Sequence, residues 1–185
     1  MTSVLKVDSI QTTSGSGFVI PPAGGIIQTQ YTQFTGTNTV SLSANTATVL
    51  SDLTVNITPI STSSVIHLQT HIFYEHGEDD DNAWNHIFFF YRDSTKLGHT
   101  QTGSNRKCGI SMGTRTFHSE NDSSTPHIVR YDYFDSPSTT SQITYKVGIE
   151  VKTAETFALN RTIADTDTVG IERGISMIVA TEIAG

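Results

Sequence analysis

Ile143-Thr144-Tyr145-Lys146-Val147-Gly148-Ile149-Glu150-Val151 reads apolar, polar, apolar with almost no interruption. A period of two places alternate side chains on opposite faces of an extended chain, so this stretch predicts a strand with one core face and one wet face. Its apolar positions are mostly β-branched or aromatic, which suits a pleated surface. The same reading extends outward in both directions. Ile26 to Phe34, Thr39-Val40-Ser41-Leu42, Leu53-Thr54-Val55-Asn56-Ile57 and Val65 to Tyr74 predict strands before it. Trp84-Asn85-His86-Ile87-Phe88-Phe89-Phe90-Tyr91 is the most apolar run and predicts a central core strand. Ile128 to Phe134, Thr156 to Asn160 and Ile175 to Ile183 complete the set.

Turn chemistry separates these runs: Thr35-Gly36-Thr37-Asn38, Ser61-Thr62-Ser63-Ser64 and Asp135-Ser136-Pro137-Ser138. No stretch has convincing helical periodicity, and Ala44-Asn45-Thr46-Ala47 is too short for a helix. There is no internal repeat and no heptad pattern, so no fibrous shaft is expected. Many short strands at this spacing predict a β-sandwich of jelly-roll type.

Composition agrees. Ser and Thr make up about a quarter of the 185 residues, and charged residues only 16%. Thr favours strands over helices, and long exposed helices need more Glu, Lys and Arg than this. The formal net charge of −7 argues against binding a phosphate backbone. No apolar run approaches the roughly 20 residues that span a bilayer, so no membrane insertion is expected. Met1-Thr2-Ser3-Val4-Leu5-Lys6 does not open like a secretion signal. Cys108 is the single cysteine, so a cysteine metal cage and an intrachain disulfide are both excluded, and folding in a reducing cytoplasm is expected.

Residues 1–25 differ from the rest. Val4 to Gln11 is a short β-prone run, Thr12 to Gly17 a turn, Phe18-Val19-Ile20 an apolar triplet, and Pro21-Pro22-Ala23-Gly24-Gly25 a hinge. Two such short runs are marginal alone in water, so their apolar side must meet something else. Leu5, Val7, Ile10 and Val19 are the residues expected to bury there. The chain thus divides into an extended arm, 1–25, and a sandwich head, 26–185.

No catalytic motif is present: no nucleophile elbow, zincin helix, P-loop or dinucleotide fingerprint. Cys108 follows Arg106 and Lys107, which favour a thiolate, but no partner base is identifiable, so a loop thiol is the expectation. The run Glu78-Asp79-Asp80-Asp81 lacks EF-hand spacing and reads as a solvated loop rather than a Ca²⁺ site. With Tyr74 and Trp84 on its flanks, it is the candidate ligand-contact loop, suited to a cation or, through the aromatics, a sugar ring. Seven histidines stand out: His67, His71, His76, His86, His99, His118 and His127. His67 and His71, four apart on one strand, share a face about 13 Å apart, too far for one ion. No metal or cofactor is expected. Phe88, Phe89, Phe90 and Tyr91 are adjacent and face both ways, which predicts burial against the core and against a neighbouring subunit.

The opening Leu5-Lys6-Val7-Asp8-Ser9-Ile10-Gln11-Thr12-Thr13-Ser14-Gly15-Ser16-Gly17 resembles the N-terminal motif of virion-associated fibre and tail proteins of marine bacteriophages, cyanophage- and pelagiphage-like. Further resembling stretches follow in order. They are Ile57-Thr58-Pro59, Ile87 to Arg92 with Asp93-Ser94-Thr95, Asp135 to Thr140 leading into Tyr145-Lys146-Val147, Asn160-Arg161, and Ile175 to Ile183. The resemblance implies a homotrimeric virion protein made in the host cytoplasm, attached to other tail or capsid proteins by the arm. It implies a short fibre or tail appendage whose head contacts a host glycan or receptor, and no catalytic residues. A capsid decoration knob and a carbohydrate-binding module are the alternatives.

Overall fold

The computed structural model describes residues 21–77, 85–99, 106–113 and 124–185. Among them there is no α-helix. The strands are β1 (Ile26–Phe34), β2 (Asn38–Leu42), β3 (Thr48–Ile57), β4 (Val65–His76), β5 (Ile87–Arg92), β6 (Thr95–Leu97), β7 (Ser111–Met112), β8 (His127–Asp135), β9 (Ile143–Glu150), β10 (Glu155–Leu159) and β11 (Ser176–Ile183). They form two sheets packed face to face, the expected β-sandwich. One runs β1-β11-β4-β10-β2, with β8 on the free side of β4; the other runs β3-β9-β5-β6, with β7 also on β5. All ladders between these strands are antiparallel.

Period two puts Ile143, Tyr145, Val147 and Ile149 of β9 into the gap between the sheets. Ile66, Leu68, Ile72 and Tyr74 of β4 meet them from the other side. Full burial of such side chains contributes about 1.5–3 kcal/mol each, which is what holds the layers together. At one end of the core, Asp135 is buried and accepts from both Arg92 (3.0 Å) and the Tyr145 hydroxyl (2.6 Å). Burial, and then that hydrogen bond to Asp135, push the Tyr145 phenol well above its usual range.

β3 begins five residues before the expected Leu53. Its register against β9 shifts between Leu50 and Thr54, which face Val147 and Lys146. Leu50 and Leu53 are both completely buried although three residues apart. The bulge resets the face of the strand, so the two leucines break the period that strict alternation demands.

The aromatic strand β5 sends Phe88 and Phe90 into the core and Phe89 to the opposite face. Phe89 is nonetheless completely buried within one chain. Its ring lies across Gly148, with Tyr91 edge-on at 5.3 Å and the Lys96 ammonium 3.9 Å from its centroid. The expected neighbouring subunit is therefore not needed to cover this strand. Gly148 is glycine because a Cβ there would sit 2.3 Å from the Phe89 ring. Gly148→Ala is expected to destabilise the protein by about 1–3 kcal/mol through overpacking, read as a lower urea midpoint with unchanged slope.

Candidate functional site

The inward-facing series of three strands run out at the same rim of the sandwich, and each ends on a group with coordinating atoms. On β4 the series Ile72, Tyr74 continues to His76. Before β5, His86 precedes Phe88 and Phe90. On β10, Glu155 precedes Phe157 and Leu159. β4 and β10 are neighbours in the larger sheet, with Phe157 opposite His76. β5 belongs to the other sheet, so the three side chains converge across the gap between layers.

Glu155 Oε1 lies 2.7 Å from His86 Nε2, and Oε2 lies 3.5 Å from His76 Nδ1. One coordinating atom from each residue falls within 4.8 Å of the others. The side chains of His86 and Glu155 are 1% and 2% exposed, that of His76 10%. Despite its closeness, the Glu155–His86 contact lacks the alignment of a hydrogen bond. Neither Oε1 nor Nε2 has a hydrogen-bond partner among the described residues, and the same holds for His86 Nδ1 and His76 Nδ1. Burial raises the pKa of the Glu155 carboxyl, but the two imidazoles outweigh it, and the net shift is downward. The group is therefore held as a carboxylate at neutral pH.

Aromatic rings wall the cluster. Tyr74 stacks on Phe157 at 4.7 Å and on His127 at 5.4 Å. His76 meets His86 edge-on at 4.8 Å and lies 5.3 Å from His127. The Tyr74 hydroxyl is buried with no hydrogen-bond partner among the described residues, and burial, followed by the charge of Glu155, raises its pKa far above the usual value.

On the outer side of the same strand end, Glu75 is buried and satisfied. Its carboxylate accepts from the Thr125 backbone N–H and hydroxyl and from the Ile163 N–H (2.6 Å). This clamp fixes the end of β4 and thereby the position of His76 next to it.

Among the expected contact residues, Tyr74 is completely buried between the sheets, so it offers no face for sugar stacking from outside. Glu78, Asp79, Asp80, Asp81 and Trp84 lie outside the described residues, as do the arm residues Leu5, Val7, Ile10 and Val19. His67 and His71 share the outer face of β4. His67 stacks on Phe134 at 4.2 Å, and the Nδ1 of His71 accepts from Arg130 at 2.7 Å. Cys108 lines a shallow groove with His99, Arg106 and Lys107. The convergence of His76, His86 and Glu155 was not anticipated. Two of its members were visible as histidines flanking the acidic run, but Glu155 is 69 residues further along, and only the β4–β10 pairing brings it in.

No protein-family model matches the chain, and no curated protein matches it.

Proposed function

We propose that the chain is a non-catalytic structural protein of a bacteriophage particle, a homotrimeric short fibre or tail appendage whose sandwich head contacts the host surface. The observation that best supports self-association is the outer face of the larger sheet. Tyr31, Phe134 and Ile128 stand 69%, 57% and 52% exposed on it. Val179 lies opposite Tyr31, Met177 opposite His71, and Phe73 opposite Ile128, so the apolar groups run across four adjacent strands. Exposed apolar groups gathered on one sheet face, here interspersed with Gln69, His71, Arg130 and Asp132, support a protein contact. On this face of β8, Arg130 and Asp132 stand between Ile128 and Phe134 and pair with His71 and His67 of the same chain.

The host-contacting role rests on the order of motifs that resembles marine phage fibre proteins, and on the sandwich, a fold that commonly carries contact residues in its inter-strand loops. The arm, residues 1–25, is assigned to attachment to the particle on the same grounds. Light scattering of the purified protein is expected to give about three times the 20.1 kDa chain mass. Tyr31→Glu with Phe134→Glu is expected to reduce it to the monomer mass with the β-sheet circular dichroism unchanged. A monomeric wild type, or a trimer indifferent to both substitutions, overturns the assignment of this face. Electron cryomicroscopy of the particle separates a tail appendage from a shell-decorating knob.

A further inference from the structure

We propose that His76, His86 and Glu155 form a zinc site that staples the two sheets of the sandwich together. This inference does not rest on the virion reading. It stands on three observations. First, the ligand atoms converge: one from each residue lies within 4.8 Å of the others. In a tetrahedral zinc site with bonds of about 2.0–2.1 Å, ligand atoms stand roughly 3.3 Å apart, so small side-chain adjustments suffice. Second, the polar atoms are buried without alternatives. Both nitrogens of His86, the Nδ1 of His76 and the Oε1 of Glu155 have no hydrogen-bond partner among the described residues. Buried polar groups left unpaired cost about 1–3 kcal/mol each, and a bound cation removes that cost for the atoms it ligates. Third, the contact between His86 and Glu155 is short yet misaligned for a shared proton, so a proton between them does not account for it.

The donor set selects the metal. Two imidazole nitrogens and one carboxylate suit Zn²⁺, while Ca²⁺ and Mg²⁺ require oxygen ligands in larger number. Three protein ligands leave a fourth position, on a rim walled by Tyr74 and His127. The topology defines what the ion does. His76 and Glu155 come from adjacent strands of one sheet and His86 from the head of a strand in the other. The chain has a single cysteine, so no intrachain disulfide can join its layers. A metal at this rim provides the cross-link instead, and it pins both ends of the connection between β4 and β5.

The test uses full-length protein stripped with EDTA and titrated with Zn²⁺ alone, followed by calorimetry and thermal unfolding, with Co²⁺ as an optical probe. Expected are one Zn²⁺ per chain, intense tetrahedral Co²⁺ bands in the visible, and a raised unfolding midpoint that Ca²⁺ does not reproduce. Glu155→Gln keeps the side-chain shape and removes the charge, and His86→Gln replaces the imidazole by an amide of similar reach. Both are expected to weaken Zn²⁺ binding by about a hundredfold or more. His76→Gln, at the more exposed ligand, serves as a third variant should either of those fail to fold. Wild-type protein that binds no Zn²⁺, gives a weak octahedral Co²⁺ spectrum, or responds to Ca²⁺ alone overturns the proposal. So does Zn²⁺ binding that persists unchanged in the folded variants.

Discussion

Asn160→Ala is expected to destabilise the fold by about 4 kcal/mol. Asn160 is completely buried just after β10, with a φ of 60°. Its carboxamide nitrogen donates to the carbonyls of Phe34 (2.7 Å) and Gly36 (2.8 Å), at the turn joining β1 to β2. Its carboxamide oxygen accepts from the Ser176 hydroxyl at 2.6 Å, and that hydroxyl oxygen in turn accepts from the Phe73 N–H at 3.0 Å. One side chain therefore joins β1, β4 and β11 at a single point. Truncation removes three hydrogen bonds and leaves alanine in a left-handed conformation that Asn tolerates better. Two controls separate the parts. Asn160→Gly relieves the backbone strain and is expected to recover about 1 kcal/mol relative to alanine. Asn160→Asp keeps the acceptor but turns a negative charge toward two carbonyl oxygens, and is expected to be at least as damaging as alanine. Urea unfolding measures all three. An alanine variant within about 1 kcal/mol of wild type would show that the hub is replaced by water.

The architecture was legible wherever period two survives. β8 and β11 alternate without a break and β9 is interrupted only at the buried Gly148, and the expected runs fall within a residue or two of the observed strands. Legibility failed where geometry interrupts the period. β3 was read from Leu53 because the bulge places Leu50 and Leu53 on the same side, which strict alternation forbids. β6 and β7 have three and two residues, too few to display any period. Their existence follows from pairing with β5, and pairing is a tertiary fact.

The site was less legible for a related reason. His76 and His86 look like loop-flanking polar residues in the sequence, since nothing local says which way they point. Both directions follow from the parity of the strands that they extend: His76 continues Tyr74, and His86 leads into Phe88. Glu155 is still harder to see, as an acidic residue opening a strand usually faces water. The same parity misled the reading of Tyr74. It was expected beside an outward loop, yet it lies on the inward series of β4 and is sealed by Phe157 and His127.

Phe89→Ala is expected to destabilise the isolated chain by about 3–5 kcal/mol, as much as Phe88→Ala or Phe90→Ala, although Phe89 faces away from the core between the sheets. Three adjacent aromatics cannot all face one layer, and adjacency alone suggested that the outward ring waits for a subunit. If that were so, truncating it would cost little in a monomer and would act on association instead. The ring is instead completely buried by its own chain, against Gly148, edge to Tyr91, and beneath the Lys96 ammonium. Lys96 is held there by Glu150 at 3.2 Å, so its charge is paired while its ammonium covers the ring. Removing the ring leaves a depression floored by a glycine, which has no side chain to fill it. That defines a double-mutant cycle. Gly148→Ala clashes with the ring in the wild type, but in the Phe89→Ala background the new methyl enters vacated space. The double variant is therefore expected to be more stable than the sum of the single losses predicts, with a coupling of about 1–3 kcal/mol. Additive losses would show that the ring does not rest on Gly148. A Phe89→Ala variant as stable as wild type at low protein concentration, but impaired in assembly, would return this face to the subunit interface.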